Sequence, residues 1–234
     1  VQGNGFAKQG YPARALFSIP FVGINEKGNP VCINEKGQAT VGDLNFQERN
    51  NTDYLIYEGS TDPIYNGSLG NTFNYKGFHL NLFLTYAFGN VVRLDPVFKA
   101  KYNDLTSMNH DFKNRWMQPG DENVTNVPGV VSRYEYEQNR TLLSTAYNAY
   151  NYTSVRTAKG DFIRLKEISL AYDFPHRWFE KSPVNNISLK LQATNLMLLY
   201  ADKKLNGQDP EFMNAGGVAS PMPKQFTLTL KLGL

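Results

Sequence analysis

The stretch that most constrains this chain is its last one, residues 224–234, which reads Lys-Gln-Phe-Thr-Leu-Thr-Leu-Lys-Leu-Gly-Leu. Phe226, Leu228, Leu230, Leu232 and Leu234 share one parity, and Gln225, Thr227, Thr229, Lys231 and Gly233 share the other. Side chains of a strand alternate between its faces, so this segment has one wholly apolar face and one polar face. A strand of a soluble sandwich has the same pattern. The distinction rests on how the pattern recurs.

Six strands are predicted, at about 13–23, 66–75, 78–88, 161–174, 187–198 and 224–234. In the third, Phe78, Leu80, Leu82, Leu84, Tyr86 and Phe88 oppose His79, Asn81, Phe83, Thr85 and Ala87. In the fourth, Ile163 and Leu165 set one parity and Ile168, Leu170, Tyr172 and Phe174 the other, so a bulge or an exit from the membrane zone is expected at Lys166-Glu167. The connections run long, short, long, short, long. An outer-membrane barrel sorts its loops this way, with short turns on the periplasmic side and long loops outside; a sandwich has no reason to. Eleven residues at ~3.3 Å each, tilted by ~40°, rise roughly 28 Å, close to the ~25 Å apolar band of such barrels. Lys190 and Lys231 both fall on the polar parity. Six strands cannot close a barrel, since small ones have about 8, and open edges are not tolerated in lipid. The remaining wall is therefore expected from sequence outside this chain, which opens on Val1-Gln2-Gly3 and reads as a piece of something longer.

Composition excludes several classes. No run approaches the ~18 apolar residues of a membrane helix, and a mean hydropathy of −0.45 fits a barrel whose lumen and loops are polar. Aromatics make up 13%, as expected of β-structure or of interfacial girdles. The net charge is +3 without a basic cluster, which argues against nucleic acid as a partner. Cys32 is the single cysteine, so no internal disulfide forms and a structural thiol is expected.

Between the strands lie further signals. Ile24-Asn25-Glu26-Lys27-Gly28 recurs as Ile33-Asn34-Glu35-Lys36-Gly37. Asn and Gly at these offsets predict two tight turns with glycine at positive φ, in a small hairpin extension. A calcium loop is the competing reading, with one carboxylate per turn. Asp95-Pro96 followed by Phe98, Tyr102, Leu105 and Met108 predicts a short helix within 97–116. The rest of 91–160 is expected to be loop, and a loop this long is normally functional. Trp116, Tyr134, Tyr136, Tyr147 and Tyr150 are its candidate substrate-binding residues, stacking on sugars in one reading and packing the loop in the other. Catalytic or metal chemistry finds no footing. His79, His110 and His176 lack partners at metal spacing, no glycine-rich phosphate loop or nucleophile elbow occurs, and Asp209-Pro210-Glu211 suits a turn better than a carboxylate pair. Neither a cofactor nor a metal is expected, and the chain reads as a non-enzyme.

Several motifs together resemble the SusC/RagA-type TonB-dependent outer-membrane transporters of Bacteroidetes. They are Gly10-Tyr11-Pro12, the run from Tyr65 through Gly70-Asn71-Thr72-Phe73-Asn74 to Phe78, Asn114-Arg115-Trp116, Gly160-Asp161-Phe162-Ile163-Arg164-Leu165-Lys166-Glu167-Ile168, Thr194-Asn195-Leu196 and Asp209-Pro210-Glu211. The resemblance implies an all-β fold, an antiparallel transmembrane barrel segment contributing about six strands to a barrel of about 22, with long extracellular loops. Residues 1–234 would be the C-terminal portion of that barrel, without the plug. It further implies import of glycans or peptides across the outer membrane, a SusD-like lipoprotein as partner, and energy from the TonB complex through an N-terminal part absent here. Leu234 departs from the aromatic residue that usually ends such barrels. A soluble β-sandwich that binds carbohydrate is the alternative, predicting a monomer that dissolves without detergent; an adhesion or enzyme domain is a third reading.

Overall fold

The computed structural model describes residues 8–46, 51–103, 108–213 and 223–233. In chain order the elements are β1 (Ala15–Ser18), β2 (Phe21–Ile24), β3 (Pro30–Ile33), β4 (Ala39–Thr40), β5 (Ile56–Ser60), β6 (Tyr65–Tyr75), β7 (Phe78–Phe88), β8 (Val91–Arg93), α1 (Arg133–Gln138), α2 (Arg140–Tyr150), β9 (Thr157–Lys159), β10 (Phe162–Asp173), β11 (Asn186–Ala201) and β12 (Gln225–Gly233), with short 3-10 turns between them. They fall into two units, one of Pro63–Asn90 with Gly160–Leu234 and one of Val1–Asp62 with Val91–Lys159.

The first unit is one antiparallel sheet in the order β12-β11-β10-β7-β6. Its register carries the predicted alternation across all five strands. Phe73, Leu80, Leu170, Leu191 and Leu228 lie side by side in one cross-sheet row. The next row, on the opposite face, is Thr72, Asn81, Ser169, Gln192 and Thr227. A slip of one residue in any strand would break both rows, so the sequence pattern and the ladder specify each other. The apolar row is not a core. Leu228 is 69% exposed, and Phe226, Leu230 and Leu232 of the same strand are similarly open. A soluble sandwich would cover these leucines with a second sheet.

The parity slip in β10 is a bulge at Lys166, between the pairs Leu165↔Leu84 and Glu167↔Phe83. It answers an irregularity at Asn195-Leu196 on β11, where Asn195 takes φ 54°. The bulges keep Ile163 and Leu165 on the same face as Ile168, Leu170 and Tyr172, so the apolar face stays continuous. The β6–β7 reversal is a two-residue turn with Lys76 at φ 47° and Gly77 at φ 85°, a type I′ geometry.

Three predictions need correction. Residues 91–160, expected to be loop apart from a short helix, carry β8, α1, α2 and β9. The first predicted strand, 13–23, is not one of the long ones. It divides at Ile19-Pro20 into β1 and β2, four residues each, and all of β1 is buried in the second unit, paired with β5. Four residues span only about 13 Å, too short to cross a bilayer. The long strands therefore number five among the described residues, not six. The helix predicted within 97–116 is not found among the described residues: 97–103 are irregular, and His110–Asn114 coils as a 3-10 turn. Leu105 lies outside the described residues, as do the start at Val1, Gly216-Gly217 of the last loop, and Leu234. The Asp95-Pro96 cap fails because Asn151 takes both backbone groups of Phe98, its Oδ1 accepting from the N–H at 3.1 Å and its Nδ2 donating to the carbonyl at 2.8 Å.

In the second unit α2 supplies the core. Leu143, Ala146, Tyr147 and Tyr150 fall on one helical face, and Tyr147 packs with Ala100, Val41 and Val131. Ile19, Cys32 and Ala149 form an adjoining cluster. The tandem repeat makes the turns between β2 and β3 and between β3 and β4, with Gly28 at φ 78° and Gly37 at φ 76°. Asn25 Oδ1 accepts from the N–H groups of Lys27 and Asn29, and Asn34 Oδ1 from those of Lys36 and Gln38. These side chains are spent on their own turns, which argues against a calcium loop.

Candidate functional site: one outward sheet face and two loop grooves

The sheet's exposed apolar face is bordered by aromatic residues at both ends. At the short-turn end lie Tyr75, Phe78, Tyr172, Phe174 and Trp178; Phe78 and Tyr172 are 4.4 Å apart, Tyr172 and Phe174 5.0 Å, and Phe174 and Trp178 5.7 Å between ring centres. At the other end are Tyr65, Tyr86, Phe88 and Tyr200, with Tyr86 stacked on Phe88 at 5.6 Å. Phe78 and Phe88 close the two ends of β7, a separation of about 25 Å along a strand tilted by ~40°. An aliphatic band of that height between aromatic rims matches a bilayer's hydrocarbon and its two interfaces. No described helix is long and apolar enough to cross a membrane, which bears only on helical spans. The chain passes to the second unit beside Tyr65, Phe88 and Phe162, all at one end of the sheet, while the β6–β7 and β10–β11 turns sit at the other. The predicted sorting of long and short connections therefore holds for the five strands.

On the polar face, Arg164 is 4% exposed. Its Nη2 lies 2.5 Å from both carboxylate oxygens of Asp209 and 3.0 Å from Glu211 Oε2, and the rings of Phe162 and Phe212 stand 5.5 and 5.9 Å from the guanidinium carbon. The Asp209-Pro210-Glu211 turn is thus clamped to β10, and its carboxylates neutralise an arginine instead of serving as an acid–base pair. Sequence reading placed Arg164 and Asp209 in separate motifs; an Arg on the polar parity of a strand and an acidic turn in a distant loop gave the signal that they pair. His79, on the same face, does have partners: Nδ1 lies 2.6 Å from Asn74 Oδ1 and Nε2 2.9 Å from Asp173 Oδ2, joining β6, β7 and β10. No cluster of three or more His, Cys, Asp or Glu suited to a metal occurs among the described residues.

The five aromatic candidates all fall in the second unit, and the structure separates them. Trp116 lines a groove of about 670 Å³ together with Tyr134, Val130, Glu26, Lys27 and Gln138. Its indole lies against the backbone of Gly28 and Gly129, where a Cβ on either would overlap the ring, and Gly129 N–H donates to Gly28 O at 2.9 Å. Trp116 Nε1 donates to Glu122 Oε2 at 3.0 Å, and Gly120 N–H donates to the same oxygen at 2.8 Å. The indole hydrogen bond, ahead of the backbone amides, holds the Glu122 carboxyl below its ordinary range. The ring is therefore fixed in plane and tilt while half-exposed. Tyr134, 78% exposed, faces the same groove from α1. α1 begins at Ser132, whose hydroxyl accepts from Glu135 N–H; Ser132-Arg133-Tyr134-Glu135 is the S-x-x-E signature of a helix start, the signal that sequence reading passed over.

Tyr136, from the other side of α1, lines a second groove of about 430 Å³ with Phe98, Lys99, Lys101, Ser144 and Asn148. Tyr147 reaches the floor of this groove but is 1% exposed, with its hydroxyl donated to Gly129 O at 2.5 Å. Tyr150 lines neither groove. It is 2% exposed and packs edge-on to Phe21 and Phe98 at 5.7 and 5.1 Å. Burial pushes both phenols well above their usual range. Packing describes Tyr147 and Tyr150, whereas Trp116, Tyr134 and Tyr136 line the two grooves with exposed or half-exposed rings. Cys32 is buried and its thiol is pushed up to about 12 by loss of solvent.

No family model matches the chain. The TonB-dependent receptor P39 of Formosa agariphila is 26% identical over 192 residues, covering 77% of this chain and 17% of the receptor. This chain is similar in sequence to a TonB-dependent receptor. In fold it is similar to the RagAB peptide transporter, with a TM-score of 0.67 and 20% identity across 99% of this chain and 24% of that one. The closed-closed state of the RagAB peptide importer gives a TM-score of 0.63 and 19% identity, covering 99% of this chain and 25% of the other. The chain thus spans about one sixth of the length of the curated relative and about a quarter of the solved transporter chain. Both comparisons agree with the SusC/RagA resemblance of the motifs.

Proposed function

We propose that this chain is the C-terminal portion of a barrel wall, with extracellular loops, in a TonB-dependent outer-membrane importer of glycans or peptides. A SusD-like surface lipoprotein works with it, and the plug, the remaining strands and the TonB-contacting segment belong to sequence beyond these residues. The observation that supports the reading is the pair of neighbouring rows on opposite faces of one sheet: Phe73, Leu80, Leu170, Leu191 and Leu228 on the apolar face, and Thr72, Asn81, Ser169, Gln192 and Thr227 on the polar one. Lipid satisfies the first row and a water-filled conduit the second. Import makes and breaks no bond, in keeping with Arg164, Asp209 and Glu211 being tied to one another. Cargo contact is assigned to the Trp116–Tyr134 groove, where a buttressed indole and an exposed phenol sit among Glu26, Lys27 and Gln138. Flat apolar faces edged by polar groups suit stacking of a sugar ring or of a peptide side chain.

Membrane fractionation of the full-length gene product tests the reading. It is expected in the outer-membrane pellet, extracted by detergent and not by carbonate. Release by salt or carbonate alone would return the sandwich alternative. Cargo uptake by intact cells is expected to vanish when TonB is depleted.

A further inference from the structure

The second groove differs from the Trp116 groove in the charges that line it. Its floor is apolar, formed by Phe98, Ala100 and Tyr147. One wall is the 96–101 segment, which carries Lys99 and Lys101; the other is α2, which offers Ser144 and Asn148. The 96–101 wall is stapled in place. Asn151 holds both backbone groups of Phe98 and also donates to Tyr147 O at 3.0 Å, so one amide ties the wall to the helix. The Phe98 ring stands edge-on to Tyr150, and the Arg156 guanidinium lies 4.8 Å over its face. Lys99 N–H donates to Tyr102 Oη at 2.9 Å. The cleft is therefore formed before any ligand arrives, which lowers the ordering cost of binding.

The rim is rich in donors. Tyr136 Oη and Ser144 Oγ lie 3.2 Å apart. The Ser144 hydrogen bond, ahead of Arg140 and Lys101, draws the Tyr136 phenol below its usual range. Lys101 Nζ sits 5.7 Å over the Tyr136 ring and 3.7 Å from Glu137, a loose pair with both side chains half in solvent. Lys99, Lys101 and Arg140 thus outnumber Glu137. A volume of about 430 Å³ lies within the roughly 300–1,000 Å³ of small-ligand clefts.

We infer that this groove is a second binding site, separate from the Trp116 groove, for a small ligand that carries a carboxylate. Lys99 and Lys101 hold the carboxylate, Tyr136, Ser144 and Asn148 meet its polar groups, and the Phe98–Tyr147 floor takes its apolar face. A uronic acid unit and an acidic peptide both present this chemistry.

The test uses the full-length protein in detergent and calorimetric titration with four probes: a hexuronate trisaccharide, its neutral hexose counterpart, tri-glutamate and tri-glutamine. At least one acidic probe should bind about tenfold or more tighter than its neutral counterpart, the expected size for one or two charge-assisted hydrogen bonds. The advantage should shrink as salt is raised. The Lys99→Gln/Lys101→Gln variant should abolish it, and Glu137→Gln, which releases Lys101, should enlarge it. Heat-modifiable migration on a gel confirms that each variant barrel is folded. Which acidic probe binds identifies the source of the carboxylate. Equal binding of acidic and neutral probes, no binding of either acidic probe, or an acidic preference that survives in the folded double variant would each overturn the assignment. Binding is read at equilibrium without transport, so failure of the importer reading and failure of this one are told apart.

Discussion

Replacing Leu228 and Thr229 in turn by arginine separates a lipid-facing wall from every soluble alternative. The two residues are adjacent on β12 and differ in face. Leu228 pairs with Leu191 in the outward row and Thr229 with Lys190 in the inward one. Leu228→Arg withdraws a leucine that is 69% exposed to the surroundings of the sheet; scaled from ~1.5–3 kcal/mol for a fully transferred leucine, this loses roughly 1–2 kcal/mol if those surroundings are hydrocarbon. The guanidinium adds about 2–4 kcal/mol near the bilayer midplane. The sum, about 3–6 kcal/mol, lowers the folded-to-unfolded ratio by roughly two to four orders of magnitude. Thr229→Arg brings a second cation opposite Lys190 in water, at a cost of about 1 kcal/mol or less. Urea titration of the full-length protein refolded into lipid vesicles, followed by heat-modifiable gel mobility, measures both. In a soluble protein Leu228→Arg would add a charge to an exposed position and cost almost nothing. Equal effects of the two variants, or a larger one for Thr229→Arg, would refute the assignment of faces.

Three further outcomes follow from the geometry. Arg164→Met strips the cation from the buried Asp209 carboxylate, at a cost of about 3–5 kcal/mol; limited trypsin digestion should then nick the loop after Lys203 or Lys204, and adding Asp209→Asn should restore much of the protection. With a thiol pushed up to about 12, Cys32 is about one part in 10⁴ thiolate at pH 8, so iodoacetamide should leave it intact in the native protein and modify it readily in urea; labelling at equal rates in both would contradict its burial. The Glu122 carboxyl is held below its ordinary value of 4.5, so its contribution to the Trp116 turn is present above that value and lost as pH falls through the lowered one. Trp116 emission, taken as the difference between the natural protein and Glu122→Gln, should stay flat from neutral pH down through 4.5 and change only at lower pH.

The sheet was legible because its residues answer to two solvents. In the proposed barrel wall, with lipid on one side and water on the other, every second position of β7, β10, β11 and β12 is forced, and the period of two shows through without an alignment. Even the parity slip at Lys166-Glu167 carried its own correction, since only a bulge keeps Ile163 and Leu170 on one face. The second unit was hard to read because it packs a small core from polar-looking sequence. α2 buries Tyr147 and Tyr150 among Asn, Ser and Thr, so its helical period was masked by composition, and the stronger-looking start at Asp95-Pro96 lost to a side-chain clamp from Asn151 that no local window contains. The predicted strand at 13–23 had the β-formers of a membrane strand, yet Pro20 divides it, and its buried half pairs with β5, from a stretch outside all six predicted strands. Among the candidate site residues, exposure sorted what residue type could not: Tyr134 and Tyr136 line grooves at the surface, while Tyr147 and Tyr150 are buried in the core.

The two faces of β12 also differ in how they tolerate wear. Where Leu143 sits inside the second unit, trimming it to alanine would leave a hole that neighbouring side chains fill only in part, and the cost would include that vacancy. Acyl chains are liquid and flow into any dent, so trimming Leu230 on the outward face forfeits little beyond its own transfer energy. The outside of this wall is accordingly free to drift among greasy residues of any shape, while its inward neighbours and the packed tyrosines of the loops remain bound to particular partners.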